Sequence, residues 1–297
     1  VDRLLIDEAQ DLSAMALDII DRIPAKQKVL VGDQNQRIFS FMKLIDGFER
    51  YPDAEVLELS QSFRVDNSYA PAIQAFLRKH LEPEAVFEGM TYPEQVKSKT
   101  KAYLTRTNAS LIAKMIKLNK SKTPYHLAST TKVKQMFKLP LAVIYAKPNF
   151  LQRDHELRHF QTLVDEWGRL PDKVKESQGL YTFLMNHVNI DMATLSAIKL
   201  VISFSKEEII EAYETAESHK KTACDLQLMT AHTSKGSTRD EVELDPDMDK
   251  AIMEALSTKF KGTEEERRAE LCLYFVACTR MRYKLTGANY LEEFMKC

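Results

Sequence analysis

Residues 1–11 read Val1-Asp2-Arg3-Leu4-Leu5-Ile6-Asp7-Glu8-Ala9-Gln10-Asp11. The apolar run at residues 4–6 predicts a short buried strand, and the carboxylates of Asp7 and Glu8 follow at its C-terminal end. Enzymes that cleave nucleoside triphosphates hold Mg²⁺ and orient the attacking water with side chains placed in this way. The opening residues therefore predict one half of a site for ATP and Mg²⁺.

The other half of such a site, a glycine-rich phosphate loop, is absent from these 297 residues. The loop has the pattern Gly-x-x-x-x-Gly-Lys-Ser/Thr, because its backbone N–H groups must approach the phosphates closely. None of the eight glycines is followed by lysine, and no two of them lie five positions apart. Residue 1 is also valine instead of methionine. We therefore expect a chain truncated before its phosphate loop, and a protein that naturally lacks the loop is the alternative.

The composition is that of a helix-rich globular protein, with 44% hydrophobic and 29% charged residues and few glycines. No apolar run approaches the roughly 18 residues that span a bilayer, so we expect no membrane partner. The four cysteines form no Cys-x-x-Cys pair and no cluster with histidine, which disfavours a zinc site and a disulfide framework. Reduced thiols indicate an intracellular protein, in the cytoplasm or nucleus, or in a host cytoplasm if the gene is from a phage.

The net charge of −1 hides a strong asymmetry along the chain. Between Lys97 and Arg153 there are 13 lysines and arginines and no aspartate or glutamate, with aromatic residues interleaved among them. Such a one-sided segment predicts a surface for a polyanion such as nucleic acid. A solvated basic face on an ordinary helical region is the alternative.

Short apolar runs alternate with helical patterns, which predicts a parallel α/β fold with ligands at the C-terminal ends of the strands. The predicted strands are residues 4–6, 28–31, 55–59, 101–105, 124–127, 226–231 and 283–285. A helix is predicted over residues 68–80, and another is predicted to start at Asn108 as its cap and to end at Leu118. Amphipathic patterns over residues 132–223 predict a helical insertion, at residues 153–169, 181–204 and 206–220. We expect two α/β units, residues 1–85 and 86–297, with the insertion in the second.

Five sequence blocks occur along the chain in a definite order. They are Gly32-Asp33-Gln34-Asn35-Gln36-Arg37-Ile38-Phe39-Ser40-Phe41, Leu59-Ser60-Gln61-Ser62-Phe63-Arg64, Leu104-Thr105-Arg106-Thr107-Asn108, Thr230-Ala231-His232-Thr233-Ser234-Lys235-Gly236 and Leu273-Tyr274-Phe275-Val276-Ala277-Cys278-Thr279-Arg280. Together with the opening residues, they resemble the motifs of UvrD/Rep-like superfamily 1 DNA helicases, with the compact F-box-helicase-like or phage-type members closest. The resemblance covers essentially the whole chain and is weakest in residues 132–223. It implies two RecA-like units of the P-loop NTPase helicase fold, the first of them incomplete.

The resemblance also implies ATP and Mg²⁺ as cofactors and assigns roles around the nucleotide. Asp7, with Glu8 beside it, would hold Mg²⁺, and Glu8 would orient and deprotonate the attacking water. Gln36 matches the glutamine that senses the γ-phosphate and links the nucleotide site to DNA.

Two arginines and one aromatic residue complete the nucleotide assignments that the resemblance implies. Arg64 and Arg280 would reach the γ-phosphate from opposite sides, a role suited to a planar and permanently charged guanidinium. Phe63 matches the aromatic residue that stacks on the adenine.

Single-stranded and duplex DNA are the partners implied by the resemblance, with translocation from 3′ to 5′. The matching DNA-contact positions are Phe39, Phe41, Arg106, Asn108, Thr230, His232 and Lys235. The two phenylalanines would lie near bases, where stacking tolerates any sequence. Thr230, His232 and Lys235 would contact the DNA backbone and couple it to the ATP site.

Two departures from the family pattern concern nucleotide affinity and coupling. Met42 stands where family members commonly have arginine, and Ser237-Thr238-Arg239 replaces the usual Leu-Glu-Phe-like run. The glutamate that contacts the ribose then has no clear counterpart, with Asp240 or Glu241 as substitutes. The sequence favours an ATP-dependent DNA helicase fragment that is inactive alone. A non-catalytic DNA-binding or regulatory helicase remnant is the alternative, and a Mg²⁺-dependent nuclease is disfavoured because the motifs supply arginines instead of further carboxylates.

Overall fold

The computed structural model describes residues 1–39, 42, 44–93, 99–129, 133–145, 157–187, 190, 192–218 and 224–296. The chain divides into two compact units. The first unit combines Val1–Arg106 with Met229–Cys297, and the second unit is Thr107–Leu228.

Within the described residues the strands form three sheets. Neighbouring strands within each sheet run parallel to each other. The strands are β1 (Arg3–Ile6), β2 (Gln27–Leu30), β3 (Gln61–Asp66), β4 (Glu88–Met90), β5 (Lys101–Thr105), β6 (His126–Leu127), β7 (Leu226–Thr230), β8 (Arg239–Leu244) and β9 (Met281–Thr286). Strands β1 and β2 form one pair, β3 and β4 another, and the largest sheet has the order β6-β7-β5-β8-β9. The predicted parallel α/β fold class is thereby confirmed.

The α-helices of the described residues follow the strands in the alternation that the sequence predicts. They are α1 (Ala14–Arg22), α2 (Ala70–His80), α3 (Asn108–Lys120), α4 (Val133–Tyr145), α5 (Arg158–Gly168), α6 (Asp172–Ser177), α7 (Leu180–Asn186), α8 (Met192–Ser203), α9 (Lys206–Ser218), α10 (Ala231–Ser234), α11 (Pro246–Leu256), α12 (Glu264–Cys278) and α13 (Asn289–Glu292). Short 3₁₀ turns occupy Ala9–Asp11, Gln34–Gln36 and Gly47–Arg50. No helix in these described ranges is both long enough and apolar enough to cross a bilayer.

Helix α12 carries the last motif of the sequence into the interior of the first unit. It begins with a capping box, in which the side chain of Thr263 accepts from Glu266 N and the side chain of Glu266 accepts from Thr263 N. Three glutamates in the first turn favour the helix further, because they face the positive end of the helix dipole. Its last eight residues are all buried. The helix therefore delivers Thr279 and Arg280 from a rigid support.

One hydrophobic core unites the two sequence segments of the first unit. Val65 of β3 and Phe76 of α2 belong to the same buried cluster as Leu104, Val242 and Val276. Residues before 86 and residues after 228 thus pack around common apolar side chains. Burial of this kind is the main stabilising contribution to a fold, at roughly 25 cal/mol per Å² of apolar area.

The described residues of the second unit are helical apart from loops, β6 and the start of β7, and they form a core of their own. Buried side chains of α4, α5, α7 and α8 form one cluster of this core, and they include Val143, Phe160, Leu184 and Ile198. Part of the basic segment is neutralised inside this unit, since Lys120 pairs with Glu208 at 2.5 Å and Lys134 with Glu217 at 3.4 Å. The acidic partners lie on α9.

Three local predictions are wrong. Residues 55–59 form no strand, and Val56, Leu57 and Leu59 are 78%, 81% and 91% exposed. An apolar run becomes a strand only where a neighbour completes its hydrogen bonds, and β4 pairs with Gln61–Asp66 instead.

The other two concern helix boundaries in the second unit. Helix α3 is capped by Thr107, whose side chain accepts from Ser110 N, and Asn108 is its first helical residue. The single helix predicted over residues 181–204 is two helices, α7 and α8.

Candidate functional site

The C-terminal end of β1 holds the predicted carboxylates in an unusual backbone conformation. Glu8 has φ 52° and ψ 41°, which is the left-handed region, and Asp7 Oδ1 accepts from Glu8 N at 2.9 Å. Bonds to the neighbouring strand secure this turn, since Val31 N donates to Ile6 O at 2.8 Å and Ala9 N to Val31 O at 3.0 Å. A non-glycine residue in this region carries strain, and such strain concentrates at functional sites.

The side chain of Gln10 links the Glu8 carboxylate to the loop after β2. Gln10 is only 1% exposed, and its Nε2 donates to Glu8 Oε2 at 2.6 Å while its Oε1 accepts from Asp33 N at 3.1 Å. The space beside it requires glycine, because a Cβ at Gly32 would lie 2.2 Å from Gln10 Oε1. The amide is therefore enclosed between two predicted motif segments.

Lys235 brings a distant part of the chain to the same carboxylates. Its Nζ donates to Asp11 Oδ2, to Glu8 Oε2 at 3.0 Å and to Gln36 O at 3.2 Å. The side chains of Lys235 and Asp11 are 11% and 10% exposed, so their ion pair is shielded from solvent. Burial by itself raises the pKa of Glu8, but the hydrogen bond and charge of Lys235, helped by Gln10 and Arg280, hold that pKa below its ordinary value.

Gln36 lies in the 3₁₀ turn after β2, where Asp33 organises the polar groups. Asp33 Oδ1 accepts from Asn35 N at 2.8 Å and caps the turn. Its Oδ2 accepts from Gln36 Nε2 at 2.8 Å. The structure therefore places the Gln36 amide against Asp33 and the Gln36 carbonyl against Lys235.

Arg64 and Arg280 meet at the end of α12. Arg280 is 2% exposed and donates from Nε to Val276 O at 2.9 Å and from Nη2 to Thr279 Oγ1 at 3.1 Å. Arg64 donates from Nη1 to Thr279 O at 3.2 Å. Burial, and then the neighbouring charge of Arg64, lowers the pKa of Arg280 to about 9.

The pKa of Arg64 is also lowered, first by burial and then by the charge of Arg282. Two partly desolvated guanidiniums side by side favour an anion between them. The negative charges of Asp33 and Glu8 have the opposite effect, because they raise the pKa of Arg280. The site therefore combines carboxylates at the end of β1 with a cationic pair at the end of α12.

Phe63 precedes Arg64 on β3, and the two side chains point to opposite faces of the strand. Arg64 is half-buried, whereas Phe63 is 77% exposed. The phenyl ring of Phe63 therefore lies on the surface and not in the core.

Phe39 and His232 lie close to Lys235, which belongs to the ion pair. The rings of Phe39 and His232 have centroids 6.1 Å apart, and Lys235 Nζ lies 5.6 Å from the Phe39 centroid, within cation–π range. Burial, followed by the charge of Arg106, lowers the pKa of His232 to about 4. The imidazole is therefore neutral at pH 7.

The remaining DNA candidates have different surroundings. Arg106 donates to both carboxylate oxygens of Glu270, from Nε at 2.8 Å and from Nη2, and Thr230 caps α10 by accepting from Thr233 N at 3.3 Å. Asn108 begins α3 in the second unit. Phe41 lies outside the described residues. Thus Arg106 and Thr230 already have protein partners.

The sequence interpretation missed three residues of this cluster, Gln10, Asp11 and Asp33. Each follows a predicted strand end within a few positions, which is where parallel sheets place ligand-binding groups. Strand position was therefore an available signal, although the partners of these residues were not predictable. In the described ranges no group of three or more His, Cys, Asp or Glu side chains is arranged to hold a metal ion.

Comparisons with known proteins agree with the motif resemblance. Residues 1–43 match the family model described as the UvrD/REP helicase N-terminal domain. The chain is also similar to F-box DNA helicase protein 1 of Schizosaccharomyces pombe (strain 972 / ATCC 24843), with 25% identity over 315 residues. That alignment covers 96% of this chain and 33% of the relative, so the chain spans about one third of the relative's length.

Proposed function

We propose, from the premise that this chain belongs to the UvrD-like superfamily 1 helicases, that it forms part of an ATP-dependent DNA helicase that translocates 3′ to 5′ on single-stranded DNA. One observation carries the proposal. Lys235, which follows β7, contacts Glu8, Asp11 and the Gln36 carbonyl in a single cluster. A segment that matches a DNA-contacting block thus bonds directly to residues that match the hydrolytic block.

The residues present fit a magnesium nucleotide. Burial lowers the pKa values of the neighbouring cations Arg64 and Arg280, and a γ-phosphate would stabilise both as a shared anionic partner. Asp7 is exposed at the end of β1 and would hold Mg²⁺ with Glu8 beside it, the ion taking its other ligands from water and phosphate oxygens. Bound Mg²⁺ would supply neutralisation of the phosphate charge.

The roles of the protein groups follow from their protonation states and positions. Glu8 is ionised at neutral pH, because its pKa is held below the ordinary value, so it can accept a proton from water. Arg280 and Arg64 would stabilise negative charge that develops on the phosphate oxygens, a contribution worth about 10³–10⁵ in rate for such arginines. Gln36 contacts Asp33 through its side-chain amide and Lys235 through its backbone carbonyl. Through these contacts it would couple the presence of the γ-phosphate to Lys235.

Exposed Phe63 supports a stacking role on the adenine. Phe39 next to His232 and Lys235 supports a base contact, where stacking contributes about 1–3 kcal/mol per base. We include Phe41, Asn108, Thr230 and Arg106 among the DNA contacts by resemblance. For Arg106 this requires release from Glu270, or a contact made through the other edge of the guanidinium.

Turnover in this proposal needs a phosphate-binding loop that these 297 residues do not contain. We therefore expect the isolated chain to hydrolyse ATP negligibly, with or without single-stranded DNA. A longer form of the chain that carries such a loop should show DNA-stimulated hydrolysis and strand separation of a duplex with a 3′ tail. DNA-stimulated turnover by the isolated chain would contradict the loop requirement.

The arginine assignment has its own test in the same loop-containing form of the chain. Arg280→Ala and Arg280→Lys should both abolish hydrolysis while single-stranded DNA still binds, because lysine lacks the planar fork. Arg267→Ala is the control, since Arg267 lies on α12 in contact with Glu264 and Ala255 O and outside the site. Normal turnover in the Arg280 variants would refute the role. DNA binding without any hydrolysis in the wild-type protein would favour the non-catalytic remnant.

A further inference from the structure

Glu8 lies on an exposed turn, and its side chain is 57% exposed. A water molecule is activated efficiently only if the accepting oxygen is held in one place, since an error of about 1 Å can cost about 10²-fold in rate. Something must therefore restrict this carboxylate. The left-handed backbone at Glu8 sets the starting direction of the side chain, and hydrogen bonds must set its end.

Gln10 provides that restriction from a buried position. The orientation of its amide is determined, because Asp33 N can only donate and so must face Gln10 Oε1. The Nε2 group then has to point at Glu8, where it donates to Oε2 at 2.6 Å. Gly32 leaves the necessary space, because a Cβ there would lie 2.2 Å from Gln10 Oε1.

The contacts leave the two carboxylate oxygens of Glu8 unequal. Oε2 accepts from both Gln10 and Lys235, while the described residues supply no hydrogen-bond donor to Oε1. A carboxylate held by one oxygen presents the other in a fixed direction. Oε1 is then the oxygen that would receive the proton from water.

We propose that Gln10 is a positioning residue for the general base: its buried amide, anchored on Asp33 N, holds Glu8 Oε2 so that Glu8 Oε1 faces the attacking water. This inference rests on the proposed function, because it takes Glu8 as the base. Gln10 itself touches neither nucleotide nor water. Its effect on the reaction passes through the direction and basicity of the Glu8 carboxylate.

Gln10→Glu is the discriminating variant. Glutamate keeps an acceptor for Asp33 N but replaces the donor to Glu8 with a second carboxylate. Gln74→Glu is the matched control, because Gln74 Oε1 likewise accepts from a backbone N–H, that of Phe87 at 3.0 Å, and the change in charge is the same. Gln10→Met, which removes both bonds, is a second variant of similar size.

The first readout needs no activity. Carboxyl carbons of glutamate are followed by NMR through a pH titration of the 297-residue chain, and Glu8 is identified as the resonance lost in Glu8→Gln. The pKa of Glu8 should rise in Gln10→Glu, through loss of a donor and gain of a like charge, and in Gln10→Met through loss of the donor. It should stay unchanged in Gln74→Glu. An unchanged Glu8 titration in folded Gln10→Glu would overturn the proposal.

The second readout is hydrolysis by a longer form of the chain that carries a phosphate loop. We expect kcat to fall by about 10²-fold in Gln10→Glu with little change in KM for ATP. The acidic limb of the pH–rate profile should move to higher pH, because a base with a raised pKa is protonated at higher pH. An equal fall without movement of that limb would indicate a structural role and refute the assignment. If no wild-type hydrolysis is found, the proposed function fails, and the NMR titration still decides whether Gln10 controls Glu8.

Discussion

Removal of Lys235 should destabilise the first unit far more than removal of an exposed lysine. In Lys235→Met the Asp11 carboxylate stays buried, with Oδ2 deprived of its partner and Oδ1 already without a hydrogen bond among the described residues. Breaking a buried pair from one side costs about 3–5 kcal/mol. The control is Lys26→Met, because Lys26 pairs with Asp2 at 2.7 Å but both side chains are more than 80% exposed, and such pairs contribute about 0–1 kcal/mol.

Urea denaturation can measure this difference unit by unit. Circular dichroism follows both units, whereas fluorescence of the single tryptophan, Trp167, reports the second unit, which lacks Lys235. At a slope of about 2 kcal/mol per M, the expected loss lowers the midpoint of the first unit by about 1.5–2.5 M. The fluorescence transition of Lys235→Met should match that of the wild type.

A double-mutant cycle then tests the cause. Adding Asp11→Asn to Lys235→Met removes the stranded charge and should recover a large part of the lost free energy of unfolding. If Lys235→Met and Lys26→Met have midpoints within about 0.5 M of each other, the buried ion pair does not contribute as we reason.

Three further expectations concern DNA, pH and the exposed apolar segment. The isolated chain should bind single-stranded oligonucleotide weakly through its basic segment, with log affinity falling linearly as log salt rises; fluorescence anisotropy that shows salt-independent binding would contradict this. The pKa of His232 is about 4 in the folded chain and about 6.5 in the unfolded chain. The unfolded state therefore binds the proton first as the pH falls. The free energy of unfolding should decrease between about pH 6.5 and pH 4, by up to about 3 kcal/mol. His232→Gln should remove that part of the pH dependence in urea titrations. Leu57→Ser and Leu59→Ser should change the free energy of unfolding by less than about 0.5 kcal/mol. Leu104→Ala, at a fully buried position, should lower it by about 2–5 kcal/mol. If the two serine variants lost as much stability as Leu104→Ala, residues 55–59 would be packed.

Local patterns were a good guide where the structure depends on neighbours in sequence. The strand predicted over residues 101–105 has those bounds, and the helix predicted over residues 68–80 is present as Ala70–His80. Alternation of apolar runs and helical periodicity was sufficient for the parallel α/β class. The prediction was wrong at residues 55–59, where hydrophobicity suggested a strand but the described residues supply no strand that pairs with this segment.

The candidate site also has a part that the sequence indicated and a part that it did not. Motif order indicated Glu8, Gln36, Arg64, Lys235 and Arg280 as functional residues, and all five lie in the first unit. Their roles stay predictions. The sequence offered no means of knowing that Lys235 would bond to carboxylates at the end of β1, or that Arg106 would be held by Glu270.

Amino-acid sequence alone determined the α/β class, the family resemblance and the types of side chain available for phosphate chemistry, because these depend on periodicity and on short motifs. Only the tertiary structure decided which of those side chains share one site. Asp11 and Lys235 are 224 positions apart, and their contact depends on a core that joins the two segments of the first unit. Burial there removes competing water, and this desolvation strengthens the interactions between charges that are far apart in the sequence.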